Sequence, residues 1–173
     1  MLSLLCSTRI SASIAVDAAR ELSRDGLRTA RAMADADWQR IVDALGRAHY
    51  RRYDESTATA LGKGARLLLD RWGGDLRRLR DDAESAAGAD GDLAGAVAER
   101  LREHPRIGPV GAAIFCREAQ GVWPGLRPYF DEATLRTARQ LGLPATVDGL
   151  ADRVGRPGDL PRLAAALVRS AHQ

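Results

Sequence analysis

The sequence predicts an all-α fold, and three observations support that prediction. Aromatic residues make up only 5% of the 173 residues, while alanine and leucine recur throughout. This composition suits helices that pack closely through small side chains better than it suits β-strands. Apolar residues also recur at intervals of three and four, and glycine or proline follows several of these stretches where a helix would end.

The first half of the chain is predicted to hold a series of amphipathic helices. Apolar residues recur every fourth position from Ile10 to Leu22, and the apolar residues next to Met1 also suit a helix. One helix that opens with Leu4-Leu5-Cys6-Ser7-Thr8 is therefore expected to end near Arg24. The later elements are predicted from residues that commonly cap or end helices. These are a short turn from Thr29 to Ala34, a helix capped by Asp35 or Asp37 and stopped by Gly46, a long helix from Asp54 to Trp72, a short helix over 75–80 and a mobile surface loop over 84–92.

The second half is predicted to contain two helices joined by a tight turn of glycine and proline. Leu93 to Leu101 lie on the first helix, and Ile114 to Ala119 lie on the second. A loop over 121–128, a helix after Asp131 and two final helices over 147–154 and 160–171 are expected to follow.

Composition and charge limit the class of protein. With 45% apolar and 28% charged residues, the chain has the balance of a soluble folded domain, which excludes a disordered or membrane-spanning protein. The net charge is +3, and every basic residue except Lys63 is an arginine. Arginine binds phosphates bidentately, so the excess is compatible with nucleic acid; a solvated surface explains it equally well.

Neither a metal site nor a targeting signal is expected. Cys6 and Cys116 lack the spacing of a metal-binding pair, and the three histidines are scattered, so no metal ion and no iron–sulfur cluster is predicted. Arg9 interrupts the apolar start of the chain before a signal-peptide core is complete. We therefore expect a cytoplasmic monomer that does not contact a membrane.

The turn between the two helices of the second half carries the most functional information. It reads Ile107-Gly108-Pro109-Val110-Gly111-Ala112. A glycine here lets backbone N–H groups point outward at the start of the next helix, where the helix dipole adds partial positive charge. A phosphate can dock there without a side chain, which positions a protein on DNA but reads no sequence. The same pattern is also common in plain turns between two helices.

Several segments around this turn follow an order that is typical of one protein family. They are Leu4-Leu5-Cys6-Ser7-Thr8, Ala34-Asp35-Ala36-Asp37, Trp72-Gly73-Gly74-Asp75-Leu76, the turn itself, and Phe130-Asp131 followed by Leu135 to Leu143. Together they resemble the endonuclease III family of helix-hairpin-helix DNA glycosylases over roughly residues 1–145. The resemblance implies a helical glycosylase-like fold, with a barrel core over 1–131 that includes a helix-hairpin-helix motif at about 93–119. Helices over 132–173 would contribute to a second lobe.

The resemblance also implies a partner and a reaction, namely double-stranded DNA and base excision. In this family an aspartate that matches Asp131 is catalytic in hydrolysing the bond between a damaged or mispaired base and its sugar. An ionised carboxylate suits that step, because it stabilises the positive charge that develops on the sugar or orients the attacking water. An aspartate directly before a helix is also a common N-cap, so both roles stay open for Asp131.

The chain departs from the family pattern at several positions. Bifunctional members carry a lysine nucleophile where this chain has Val110, and valine cannot form a Schiff base. Hydrolysis of the base–sugar bond alone is therefore expected. Arg106 stands at the first hairpin glycine, and Thr8 stands where a glutamine usually fills the gap left by an extruded base. The four-cysteine iron–sulfur loop is missing, and members place a segment before the helix at Leu4, so Met1 could be an internal start.

Seven residues are expected to contact DNA. They are Arg51, Arg52, Arg106, Ile107, Gly108, Val110 and Gly111. Tyr50 and Tyr53 flank the first two and would line the duplex with them, although a charged loop is more often simply solvated. Three functions stay open: a DNA glycosylase without lyase activity, a helix-hairpin-helix DNA-binding module that has lost catalysis, and a helical protein in which the hairpin is a plain turn.

Overall fold

The computed structural model describes residues 1–89 and 91–171, and helices form all the regular structure of those residues. They contain eleven α-helices, two short 3-10 helices and no strand, which confirms the predicted all-α class. The α-helices are α1 (Leu2–Cys6), α2 (Ala12–Arg24), α3 (Ala30–Ala34), α4 (Trp38–Arg47), α5 (Asp54–Trp72), α6 (Leu76–Ala87), α7 (Leu93–Arg102), α8 (Pro109–Ala119), α9 (Glu132–Gln140), α10 (Val147–Ala151) and α11 (Leu160–Ser170). The 3-10 helices are Pro124–Leu126 and Pro157–Asp159. Within the described ranges, no helix has the length and apolar character needed to cross a membrane.

The chain divides into two units. The first comprises Met1–Gly91 with Ala96–Ala112, and the second comprises Asp92–Gly95 with the chain from Ala113 onward. In the first unit α3, α4 and α6 pack against the long helix α5, and α1 and α4 pack against α2. In the second unit α9 packs against α11. The predicted boundary between residues 131 and 132 lies inside the second unit.

Each unit has its own apolar core. The core of the first unit includes Leu5, Leu22, Ile41, Leu45, Tyr50 and Leu61. The core of the second unit is formed by Phe130, Ala138, Leu150, Leu160, Ala164 and Leu167. Many buried positions are alanines, as the composition predicted for closely packed helices.

Side-chain caps begin several helices where the sequence placed them. The Thr29 hydroxyl accepts the N–H of Ala32 at 3.1 Å, and the Asp37 carboxylate accepts the N–H of Gln39 at 2.8 Å. Gly73, with φ +62°, ends α5 in the left-handed conformation that glycine favours. Each of these residues caps or ends a helix through backbone groups only a few positions away in sequence. Their predicted roles are confirmed.

The first predicted helix is broken, which corrects the expectation of one continuous element. Ser7 donates a hydrogen bond to the Ser3 carbonyl at 2.6 Å, and Thr8 donates one to the Leu5 carbonyl at 3.1 Å. Side chains that bond nearby carbonyls offer the backbone an alternative to the helix. The chain therefore leaves α1 after Cys6 and re-enters a helix only after Ser11, which caps α2.

The helix predicted over 75–80 is longer than expected, and much of the predicted loop over 84–92 is helical. It runs from Leu76 to Ala87 and ends at Gly88, where φ is +75°. Leu79 and Ala83 are fully buried one turn apart, so packing extends the helix beyond the polar stretch that suggested a loop. Asp90, in the rest of that predicted loop, lies outside the described residues.

Gly111 marks a close approach between the start of α8 and the end of α1. A Cβ atom added at Gly111 would overlap the Ser7 hydroxyl and lie 3.4 Å from the Ser3 carbonyl oxygen. The same hydroxyl is already bonded to that carbonyl. A side chain at this position would therefore force the Ser7 hydroxyl to move within the first unit.

We expect Gly111→Ala to lower the free energy of unfolding by about 1–3 kcal/mol, the usual cost of overfilling a packed site. The methyl group would push the Ser7 hydroxyl away from the Ser3 carbonyl. Urea denaturation of the variant and the wild type measures the effect. Gly46→Ala is the control, because an added Cβ there meets nothing within 4 Å.

The contact with Ser7 can be tested separately. In a Ser7→Ala background, Gly111→Ala should cost less, since the hydroxyl that it displaces is already gone. An equal cost in both backgrounds would show that this contact is not the source of the penalty.

Candidate functional site

The turn between α7 and α8 contains a non-glycine residue in a left-handed backbone conformation. Arg106 has φ +64°, a region that residues with a Cβ atom enter at a cost of about 1–2 kcal/mol. The N–H of Ile107 bonds to the His104 carbonyl at 3.1 Å and holds the turn tight. The turn therefore combines a backbone shape that favours glycine with a positively charged side chain.

The start of α8 has backbone donors at one exposed and one buried position. Pro109 has no N–H group, and the Ala112 N–H bonds to the Gly108 carbonyl at 3.0 Å. Between them, Val110 and Gly111 carry the donors that a helix N-terminus leaves without an intrahelical partner. Val110 is 67% exposed and lies at the surface, whereas Gly111, which was also expected to contact DNA, is buried.

Gly108 has no structural requirement for glycine. A Cβ atom added there meets nothing within 4 Å, and the backbone does not adopt a positive φ. Gly108 therefore differs from Gly111, although both belong to the same short motif.

Two of the predicted DNA-binding arginines meet at one aromatic ring. The Arg106 guanidinium carbon lies 5.7 Å from the centroid of the Tyr53 ring, and the Arg52 guanidinium carbon lies 5.4 Å from it. Arg106 also donates a hydrogen bond to the Ser56 hydroxyl. We call Arg52, Tyr53 and Arg106 the arginine cluster. Residues 54 positions apart in sequence thus share one exposed surface of the first unit.

The remaining predicted contacts differ in their exposure. Arg51 is exposed, whereas Ile107 is half-buried and packs against the core of the first unit. Tyr50 was expected beside the duplex, and this is wrong, because it is completely buried. Its hydroxyl pairs with the Thr8 hydroxyl at 2.6 Å and donates to the Leu5 carbonyl at 3.3 Å. Of the two tyrosines in this loop, only Tyr53 takes part in the surface.

A buried stack fixes the base of the turn. The His104 ring lies parallel to the Trp72 ring, with centroids 5.8 Å apart. The Trp72 indole and Arg100 both donate to one oxygen of Asp82, at 3.2 and 2.9 Å. Arg71 lies over the Trp72 ring and forms an ion pair with Glu103. These contacts join the ends of α5 and α7 to α6.

Burial keeps His104 uncharged. Loss of water around the ring is the main cause that lowers its pKa, and its Nδ1 atom is buried without a hydrogen-bond partner. The positive charge of Arg71 acts in the same direction. A proton on His104 would therefore be unfavourable in the folded protein, and stability is lost as the pH falls below the ordinary histidine pKa of about 6.5.

Asp131 lies in the second unit, where its carboxylate has two partners. One oxygen accepts the N–H of Thr134 at 2.9 Å, so Asp131 is the N-cap of α9, as one of the two sequence interpretations predicted. The other oxygen accepts a hydrogen bond from Arg117 at 2.7 Å. The two side chains are only 8% and 9% exposed, so this is a buried ion pair.

Sequence reasoning missed Arg117. It lies on α8 directly after the apolar run Ile114-Phe115-Cys116, and an arginine in such a run is the signal that it needs a buried partner. The exposed Glu118 is its second carboxylate, at 3.1 Å. No spacing rule connects residues 117 and 131.

The segment before Asp131 is held by a buried glutamine. The side-chain amide of Gln120 donates to the Tyr129 carbonyl at 2.8 Å and accepts the Tyr129 N–H at 3.1 Å. Burial also raises the pKa of the Tyr129 hydroxyl to about 12. These bonds fix the backbone that presents Asp131 to Arg117.

The described residues offer few groups for metal or thiol chemistry. Among them, no three histidine, cysteine, aspartate or glutamate side chains come together in a way that would hold a metal ion. Burial raises the pKa of Cys116 to about 12, so its thiol stays protonated and unreactive at neutral pH.

No protein-family model matches the sequence, and no curated protein or solved structure matches it either. The function must therefore be argued from the residues and contacts described above.

We expect Arg117→Met to lower the free energy of unfolding by about 3–5 kcal/mol, because it leaves the Asp131 carboxylate buried without its counter-charge. Thermal or urea denaturation gives the measurement. Glu118→Gln is the control: it removes the exposed carboxylate from the same guanidinium and should cost less than about 1 kcal/mol.

The double variant Arg117→Met with Asp131→Asn should recover part of that loss. An asparagine still caps α9 and needs no counter-charge. A double variant as unstable as the sum of the two single variants would show that the buried pair is not coupled.

Proposed function

We propose that this protein binds the phosphate backbone of duplex DNA through the turn between α7 and α8. The observation that carries the proposal is Arg106, whose left-handed backbone lies three residues before the start of α8 and whose side chain contacts Tyr53 and Ser56 at the surface. An arginine and a helix N-terminus both attract phosphate, and here they are four residues or fewer apart. Binding of this kind positions a protein without reading sequence.

The unfilled space at Gly108 supports the same proposal. Gly108 is not explained by a positive φ or by an internal neighbour. In this proposal a phosphate approaches the N–H of Val110, two residues after Gly108. Glycine keeps that approach open, so a phosphate oxygen can reach the backbone donors.

We further propose that the protein belongs to the helix-hairpin-helix glycosylases and hydrolyses the bond between a damaged or mispaired base and its sugar. The support is the resemblance in Phe130-Asp131 and Leu135 to Leu143, together with the hairpin. In this proposal Asp131 stabilises the positive charge on the sugar or orients water. The base must be extruded from the duplex before a carboxylate can act on its sugar bond. Val110 stands where a lysine nucleophile would be, so strand cleavage through a Schiff base is not part of the proposal.

A second candidate function is a DNA-binding module that has lost catalysis. The buried ion pair favours it: the Asp131 carboxylate is 8% exposed, and each of its oxygens already has a hydrogen-bond partner. In this candidate, Asp131 serves only as a helix cap and a counter-charge. DNA binding is common to the two candidates, and base release separates them.

Gly108→Glu should weaken binding to a labelled duplex at low salt by tenfold or more. The substitution places a negative charge beside the phosphate site, at a position where the fold tolerates a side chain. Fluorescence anisotropy provides the dissociation constant. Gly108→Ala is the matched control, and it should keep the wild-type stability while changing affinity much less. Equal affinities for the Gly108→Glu variant and the wild type would remove the turn from the DNA interface.

Asp131→Asn should abolish base release while leaving DNA affinity equal or higher, since a negative charge is removed. The assay uses duplexes that contain uracil, oxidised, alkylated or mismatched bases, followed by alkali to reveal abasic sites. Because this change also breaks the ion pair, Arg117→Met is the matched control: it breaks the same pair but keeps the carboxylate.

Base release that survives in the Arg117→Met variant and is lost with Asp131→Asn identifies the carboxylate as catalytic. Full activity of the Asp131→Asn variant would exclude Asp131 from the chemistry. A wild-type protein that binds DNA and releases no base from any duplex would favour the binding module.

A further inference from the structure

We propose that Tyr53 is a positioning residue that presents Arg52 and Arg106 together to neighbouring phosphates of one DNA strand. The inference rests on the proposed DNA-binding function and assigns Tyr53 a role in it. Tyr53 was expected only to line the duplex. Its ring instead contacts both guanidinium groups.

The geometry of the arginine cluster carries the proposal. Both guanidinium carbons lie within 6 Å of the Tyr53 ring centroid, the range of a cation–π contact. Tyr53 itself is half-buried and packs against the core of the first unit, so the ring is anchored while the two arginines are exposed. Contact with an anchored ring restricts the two arginine side chains before DNA binds. Less side-chain conformational entropy is then lost on binding.

The charges of the cluster are available for an anion. Among the ion pairs of the described residues, none involves Arg52 or Arg106. The hydrogen-bond partner of Arg106 is the neutral Ser56 hydroxyl. Asp54, next to the cluster, accepts the N–H of Glu55 instead of an arginine. Other arginines of the first unit, such as Arg47 and Arg100, are paired with carboxylates.

The greatest possible separation of the two guanidinium groups admits neighbouring phosphates of one strand. They can be no farther apart than the sum of their distances to one ring centroid. A DNA strand carries one phosphate per about 3.4 Å of helix axis, so more than one phosphate lies within that span. Arg52 and Arg106 would each contact a different phosphate, while the start of α8, three residues after Arg106, adds backbone donors.

The test is the salt dependence of binding to a random-sequence duplex. Each phosphate neutralised by a side chain contributes about 0.9 to the log–log slope. Arg52→Ala and Arg106→Gly should each reduce the slope by about that amount. Tyr53→Leu should reduce it by up to twice as much, although it removes no charge, because both guanidinium groups lose their platform. Tyr53→Phe keeps the ring and should leave the slope unchanged.

Two controls separate positioning from stability and from net charge. Arg106→Gly relieves the left-handed strain, so it should unfold at a higher urea concentration than the wild type even as the slope falls. Arg31→Ala removes one exposed positive charge from α3, away from the ring contacts of Tyr53, and should change the slope by less than Arg52→Ala does.

The outcomes distinguish a failure of this inference from a failure of the proposed DNA-binding function. A slope that falls with Arg52→Ala and Arg106→Gly but not with Tyr53→Leu would overturn the positioning role and leave DNA binding intact. A Tyr53→Phe slope as low as that of Tyr53→Leu would also overturn it, because the ring would not be the cause. Wild-type affinity in the Gly108→Glu variant would instead reject the proposed role of the turn itself.

Discussion

The stack of His104 on Trp72 is the contact on which the arrangement of the candidate site depends. It fixes the end of α7 against the end of α5, and the Arg100–Asp82–Trp72 hydrogen bonds add α6 to the same junction. Two residues later the chain enters the left-handed conformation at Arg106. A strained backbone persists only where its surroundings hold it in place. Because α5 also begins at the arginine cluster, one helix links the buried stack at its C-terminal end to the exposed cations at its N-terminal end.

At Asp131, the proposed reaction and the observed structural contacts would use the same carboxylate. Capping α9 uses one oxygen of the carboxylate as an acceptor, and the ion pair with Arg117 uses the other. The proposed stabilisation of a positively charged sugar would use the same carboxylate. What differs is access, because a carboxylate that is 8% exposed must exchange a protein partner for a substrate before it can act. The residue that the resemblance implies to be catalytic is therefore also the residue that caps α9 and pairs with Arg117.

Local rules predicted much of the helical framework and little of the site. Thr29 and Asp37 cap the helices that follow them, and Gly73 ends α5, because each acts on backbone groups a few residues away. The break after Cys6 was missed, since it arises from hydroxyls of Ser7 and Thr8 that compete with the helix for carbonyls. The shared ring of Arg52 and Arg106 and the pairing of residues 117 and 131 were beyond prediction. Periodicity reports which face of a helix is apolar and contains no information on which distant side chains will meet.

The two glycines of the turn show what a motif alone leaves undecided. A sequence pattern treats Gly108 and Gly111 alike, yet only Gly111 is pressed against other atoms, those of Ser3 and Ser7 in α1 and just after it. The absence of a side chain at Gly111 is explained by packing within the protein. Gly108 faces open space with an ordinary backbone conformation, so alanine would be expected there on the grounds of chain entropy. Gly46, Gly155 and Gly158 share both properties, so open space at a glycine does not by itself identify a binding surface. The proposed role of Gly108 depends on its position in the chain, between Arg106 and the start of α8, because an arginine and a helix N-terminus both favour an anion.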